Sequence, residues 1–451
     1  MTLPENFIKN MKEQLGGDAE SFFKAIDGEA SVSVRLNPKK EVSGIFSENI
    51  DKHVPWTQNG FYLKQKPVFA LDPLFYSGAY QVQDATAMFL EFALKATVDL
   101  KRPLRVLDMC AAPGATSTLL ASLLKPNDLL VVNEVIKSRL TVLKENLLKW
   151  GFPNVIVTNQ DPETFSDLEG FFDIVLVDAP SSAEGVFKKD PNAINSWSEQ
   201  NIQMCATRQK RILSAAGLLV APRGHLIYTT NAYNSEENSK NVKWLTRTLD
   251  FVQAELDVPA EWNIEKVDGG YQFYPHKTQG EGFFFSIFNQ MSFEEGFNVS
   301  RLKLNALRKS QVALLAPWIN SEVFEDFSYF AKTDGVVIAL YTKLQNDYAT
   351  VFNTIVKRSS GFEIGIFKGS DFIPSHGLAL SPLVSDSITK VELNVEDAIS
   401  FLRKENFEVD TVENGWVLVC HKGLALGWVK KIGDRINNYL PAEWRLKMDV
   451  E

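Results

Sequence analysis

The sequence predicts an α/β protein: a doubly wound core, preceded by an α+β module and followed by a β-rich domain. Three observations carry that prediction. From Leu104, short runs rich in Val, Ile and Leu alternate with helical stretches, the pattern of a parallel sheet covered on both faces. Before that point, helical spacing and strand-like alternation are mixed. After about Ser292 the strand–helix rhythm stops, and from Gly335 short strands and turns dominate. A chain of 451 residues also exceeds a single core, because domains typically run to roughly 100–200 residues.

In chain order, residues 1–95 form the first module. "FIKNMKEQLGGDAESFFKAID" has helical spacing, "ASVSVRLNPKK" alternates like a strand and breaks at Pro38, and "GAYQVQDATAMFLEFALKAT" resumes a helix after Gly78. Residues 96–291 form the core. Its strands are "LRVLDMC", "DLLVVNEV", "NVIVTNQ", "FDIVLVDAP" and "HLIYTTN", with "EGFFFSIFNQ" as a later one. The helices "KSRLTVLKENLLKWG" and "WSEQNIQMCATRQKRILSAAG" lie between them. Residues 292–374 read as a helical connector, "EEGFNVSRLKLNALRKSQVALLAPWI", and a pre-barrel region with the strands "GVVIALYTK" and "GFEIGIFKG". Residues 375–451 end in a hairpin with a basic, aromatic tail.

Composition bounds the function. Hydrophobic residues make up 45% and charged residues 23%, as in soluble folded chains. No stretch approaches the roughly 18 apolar residues that span a bilayer, and "MTLPENFIKNMKEQLGG" has no signal-peptide core. A cytoplasmic protein without membrane contact is expected, as a monomer. Cys110, Cys205 and Cys420 are too scattered for a disulfide framework or a zinc site, so no metal is expected. A net charge of −9 argues against gripping nucleic acid with the whole surface, while leaving room for local basic patches.

"VLDMCAAPGATSTLLASLL" reads as strand, tight loop and helix. Ala111, Ala112, Pro113 and Gly114 put little bulk between a ligand and the backbone, and the helix start offers free N–H groups. Glu134 ends the next strand, where an acid is placed to bind ribose hydroxyls. Asp161 follows the third strand and Asp178 the fourth. Carboxylates along one rim of such a sheet describe a nucleoside pocket, although turn-forming and helix-capping acids occur at strand ends in any α/β protein. The loop is not the dinucleotide G-x-G-x-x-G.

These segments resemble the S-adenosylmethionine-dependent RNA cytosine-5 methyltransferases of the Nol/Nop/Sun type, and more narrowly the bacterial branch acting on 16S ribosomal RNA. "SVRLNPKK" and "GAYQVQDATAM" are similar to that family's N-terminal module, and "DMCAAPG" to its cofactor loop. "DAPSSAEGVFKKDPNAINSWSEQN" and "IYTTNAYNSEEN" resemble its two active-site motifs, and "YPHKTQGEGFFFSIF" its last core strands. The tail from Ser375 resembles its PUA-like RNA-binding barrel. The resemblance implies a Rossmann-like methyltransferase core, S-adenosylmethionine as cofactor, ribosomal RNA as partner, and Asp178 as the carboxylate that holds the base.

The departures bear on catalysis. Where the family pattern has Asp-Ala-Pro-Cys-Ser-Gly, this chain has Ser181 for Cys and Ala183 for Gly; Asn231 stands at the second motif Cys. Ala115 and Thr116 follow Gly114 in place of Gly-Lys, and Gln272 replaces an Arg. The family's chemistry needs a thiolate to add to cytosine carbon 6 and make carbon 5 nucleophilic. Asn231 cannot add, and the alcohol of Ser181 has no adjacent His to activate it. Losing covalent activation costs on the order of 5–10 kcal/mol of barrier. The sequence therefore predicts a degenerate member that binds RNA, with cofactor binding weakened. The alternative is an active enzyme with another acceptor or nucleophile. Amino-group methylation needs no adduct, but its usual aromatic-bearing loop is absent from "DAPSS".

Outside that constellation, Lys188 and Lys189 are read as meeting RNA phosphate, or else as a solvated turn. Lys430, Lys431 and Arg435, with Tyr439 and Trp444, form a surface that stacks on unpaired RNA, or else a barrel with an aromatic core. Ser235 is the expected N-cap of the helix after the second motif. Cys110 is expected to pack as a small hydrophobe, and His276 to be a packed, hydrogen-bonded residue.

Overall fold

The computed structural model describes residues 2–291, 305–332, 334–355, 361–369, 371–410 and 413–448. Its centre is a nine-stranded sheet. Val155–Thr158, Leu129–Asn133, Arg105–Asp108, Phe172–Asp178 and Val220–Thr230 run parallel, in that order. Phe283–Gln290 then pairs antiparallel with Val220–Thr230, and Gly270–Phe273 and Glu265–Val267 extend that edge; Phe251–Gln253 also pairs with Phe283–Gln290. A sheet buried on both faces explains the unbroken apolar runs. In "FFF", Phe283 and Phe285 enter one core and Phe284 the other, all at 3% exposure or less. Helices Ala115–Leu123 and Lys137–Trp150 cover the first face, and helix Glu199–Leu218 the second.

The N-terminal module joins the core in two places. Strands Ile50–His53, Gly60–Leu63, Val32–Leu36 and Tyr80–Val82 form a separate antiparallel sheet. Arg35 from that sheet is buried against the core: it donates to Gln83 and Thr118 and lies over the Trp150 ring. Helices Glu5–Leu15 and Ala19–Ile26 place Phe7, Met11, Phe22 and Ile26 on Phe187, Trp197, Tyr233 and Tyr274. The module therefore braces both motif loops.

Residues 305–374 correct the expected helical connector. Its stretch 292–304 lies outside the described residues, and only Lys309–Ala313 of the remainder forms an α-helix. The region is a five-stranded antiparallel sheet, ending with Phe362–Lys368 and Asp371–Pro374. Helix Gln345–Thr354 packs on the central core, where Arg105 pairs with Asp347 at 2.9 Å. The last domain is a four-stranded sheet of Lys390–Glu392, Gly415–His421, Leu424–Ile432 and Arg435–Asn438, its first pair parallel. One apolar core joins these two sheets across residue 375, with Ile364 and Phe372 packed among Leu378, Leu418 and Trp428. Trp444 is buried, as a core aromatic, whereas Tyr439 stays exposed against Trp416. Among the described residues, no helix is long and apolar enough to cross a membrane.

Candidate active site

Strand order reverses between Arg105–Asp108 and Phe172–Asp178, and the crevice beyond such a switch is where open α/β sheets take ligands. Both strands end in an acid. Asp108, which the sequence reading did not single out, is fully buried; Oδ2 accepts from Ser117 Oγ at 2.6 Å and Oδ1 has no hydrogen-bond partner among the described residues. Burial pushes this carboxyl up to about 7, against the Ser117 bond, and the charges of Asp178 and Glu134 add to the rise. Its position at a strand end was the available signal.

The adjoining loop is held from helix Lys137–Trp150. Arg139 Nη2 donates to the Ala112 carbonyl at 2.5 Å, and Asn146 Nδ2 to that of Pro113 at 2.9 Å. Gly114 has φ +105°, and an added Cβ would lie 3.1 Å from Leu143. Ala111, Ala112 and Gly114 are buried and Pro113 is exposed. Glu134 is buried; Oε1 accepts from the Ile136 N–H at 2.8 Å and Oε2 lies 3.6 Å from Arg139 Nη1. Asp161 has both oxygens engaged. Oδ1 accepts from the Glu163 N–H, capping the Pro162–Leu168 turn, and Oδ2 pairs with Arg211 at 3.0 Å.

A stability prediction follows from Asp108. Its raised folded value means the native state keeps a proton that the unfolded chain releases above its ordinary 3.8. Stability therefore falls as pH rises from about 4 to about 7, and Asp108→Asn removes that slope. Urea midpoints across this window check it: parallel curves for the two proteins contradict the assignment.

At the acceptor end, Asp178 Oδ1 accepts from Thr229 Oγ1 at 2.8 Å; burial raises its carboxyl, opposed by the Thr229 bond and the Arg139 charge. Ser181 is half-buried and its hydroxyl accepts from the Ala183 N–H at 3.3 Å. Ala183 keeps φ +61°, a left-handed conformation that favours the family glycine. Asn231 is half-buried; its side-chain Nδ2 donates to the Gly282 carbonyl at 3.2 Å and its backbone carbonyl accepts from the Gly185 N–H at 2.8 Å. Gly282 N–H in turn donates to Gly185 O at 2.9 Å, so the two motif loops and the last strand meet at Asn231.

Two buried carboxylates, also not singled out in sequence, tie these loops together. Glu184 accepts from Trp197 Nε1, Tyr233 N–H and Asn234 N–H at 2.8–3.0 Å. Glu237 accepts from Ser182 N–H at 3.0 Å, Gln209 at 2.7 Å and Asn234 at 2.8 Å. Glu237 corrects the expected N-cap: its burial draws residues 235–238 into a turn, and the helix runs Ser239–Thr248 from Asn238. Gln272 is buried and bonds Asn238, Ala232 O and Phe283 O.

Cys205 and Cys420 are buried and Cys110 is half-buried. Burial pushes Cys110 well up, reinforced by Asp108, Asp178 and Glu134, and pushes Cys205 and Cys420 to about 11. Cys110 packs beside the core as expected. His276 packs near Phe22, but neither ring nitrogen has a hydrogen-bond partner among the described residues, which corrects the expected bonded histidine. Lys189 pairs with Glu281 at 2.6 Å, and Lys188 carries an amine lowered by burial, with the Asp84 charge opposing. Lys430, Lys431 and Arg435 sit on adjacent strands of the last domain, with Lys430 over Trp416. They belong to a different domain from the motif loops.

Residues 96–289 match the model of the 16S rRNA methyltransferase RsmB/F family. Residues 3–85 match the N-terminal domain of 16S rRNA methyltransferase RsmF, and residues 388–446 the methyltransferase RsmF PUA domain. The chain belongs to the RsmB/F family of 16S rRNA methyltransferases. Its RsmF-like build spans the chain. Ribosomal RNA small subunit methyltransferase F of Cronobacter sakazakii is 28% identical over 98% of this chain and 96% of its own length. The protein of that name from Shewanella oneidensis is also 28% identical, over 98% and 97%. Among solved structures, a methyltransferase homologue from Pyrococcus horikoshii has 26% identity and a TM-score of 0.55, covering 64% of this chain and 95% of its own. NSun6 from Pyrococcus horikoshii, solved with SFG, shares the fold at 20% identity and a TM-score of 0.55, over 64% and 99%.

Proposed function

We propose that this RsmB/F-family chain binds small-subunit ribosomal RNA and does not form 5-methylcytosine by the covalent route. The observation that carries the reading is the acceptor end itself: an amide and an alcohol stand at the two motif positions, and burial holds the remaining thiols protonated. The catalytic positions Asp178, Ser181 and Asn231 keep their loops without a nucleophile. Asp178 remains able to hold a base through the oxygen not used by Thr229.

S-Adenosylmethionine fits the crevice. The partnerless Asp108 oxygen calls for a donor such as an ammonium group, and the Ala111–Gly114 loop carries little side-chain bulk, with Pro113 exposed. Asp108, the loop and Glu134 would hold it, with Asp178 beside it, and the group supplies an electrophilic methyl when bound. Affinity is reduced because Glu134 and Asp161 already carry protein partners. Gel retention of precursor 16S RNA with labelled methyl donor tests both halves: retained but unlabelled RNA supports the reading, and labelled or unretained RNA overturns it.

A further inference from the structure

A second cavity, of about 200 Å³, opens where three domains meet. Its core wall is Leu124–Pro126 and Trp150–Asn154, the segments that lead into strands Leu129–Asn133 and Val155–Thr158. It therefore lies at the rim opposite Asp108 and Asp178. Lys39 and Lys40 enter from the N-terminal module and Lys390 from the C-terminal domain.

Among the described residues no lining residue is acidic, although the chain carries a net charge of −9. The half-buried Lys40 donates from Nζ to the carbonyls of Ser77 at 2.7 Å and Lys149 at 2.5 Å and has no ion-pair partner among the described residues; desolvation lowers its amine to about 7, and a bound anion would hold it charged. An ammonium has three donors, and a buried cation without a counter-charge is costly. Gly151 permits this approach: a Cβ there would lie 2.6 Å from Leu380 O and 3.3 Å from Lys40 Nζ. Lys39 Nζ sits 5.5 Å from the Phe152 ring, leaving its hydrogen-bonding capacity open. Lys390 is paired with Asp386 at 3.0 Å, an exposed ion pair that an entering phosphate has to displace, and Glu392 accepts from the Gly423 N–H. Lys125 only lends its stem, because its ammonium donates to Lys101 O.

We propose that this three-domain cavity is an anion site that takes the phosphate group of a nucleotide, with Lys40 at its floor and Lys39 and Lys390 at its mouth. The half-buried rings of Phe152 and Tyr341 on its walls suit the attached ring. The inference stands independently of whether the chain transfers methyl groups. The full chain is titrated by calorimetry, at matched ionic strength, with inorganic phosphate, adenosine monophosphate and a short single-stranded RNA. Saturable binding of phosphate or the mononucleotide assigns a free ligand, and binding of the RNA alone assigns a backbone phosphate. In either case the Lys39→Gln/Lys390→Gln variant, altered only at the mouth, binds about tenfold more weakly. Lys40→Met is expected to lose binding altogether, and where it fails to fold the double variant decides. Absence of saturable binding by all three probes, or binding that the double variant leaves unchanged, overturns the proposal.

Discussion

Asn231→Cys combined with Ser181→Cys makes the chain form a covalent complex with its RNA that survives denaturing electrophoresis, whereas the natural chain forms none. The loops that would present the two thiols are already built. Asn231 is fixed between Gly185 and Gly282, and Ser181 stands three residues beyond Asp178, in the loop that follows its strand. A side chain of similar size replaces each natural one, so the backbone need not move. The missing element is a soft nucleophile, and its return recovers part of the roughly 5–10 kcal/mol attributed to covalent activation. Carbon-5 methyl transfer should rise by about a thousandfold or more over the natural chain. A folded, RNA-binding double variant that forms no complex would show that sulfur is not the decisive loss.

Glu184→Leu is the substitution expected to cost the most stability. The side chain is 2% exposed and its carboxylate satisfies the Trp197 indole and the backbone N–H groups of Tyr233 and Asn234. Leucine leaves all three donors buried without an acceptor. Each costs about 1–3 kcal/mol, and partial relaxation brings the total to about 3–5 kcal/mol. Glu184→Gln keeps one carbonyl oxygen and loses less. The defect extends beyond the motif loop, because Trp197 and Tyr233 share an apolar cluster with the N-terminal helices. Urea unfolding measures the effect, and a loss below about 1 kcal/mol would contradict the role given to Glu184.

The core strands were legible because a sheet covered on both faces writes itself as continuous Val, Ile and Leu. The same run at Phe283–Gln290 did not reveal that this strand is antiparallel, since direction is set by pairing with Val220–Thr230. The region after Ser292 misled for a related reason. Asn305–Ala306, Phe327–Ala331 and their partners are short, and only non-local pairing makes them a sheet. In the site, the small-residue loop and the strand-end acids Glu134 and Asp178 were visible as residue types at informative places. Glu184 and Glu237 were not, because a buried carboxylate in a polar network looks in sequence like any surface acid. Ser235 had the right chemistry for a cap, yet Glu237 two residues on is drawn inside and delays the helix to Ser239.

The central claim is that no residue of the natural chain replaces the missing thiols. Nucleoside mass spectrometry of unmethylated 16S RNA, incubated with excess S-adenosylmethionine and protein made in a host lacking other such enzymes, tests it most directly. The account predicts no 5-methylcytosine above the protein-free control. More than one equivalent of 5-methylcytosine per protein molecule would contradict it.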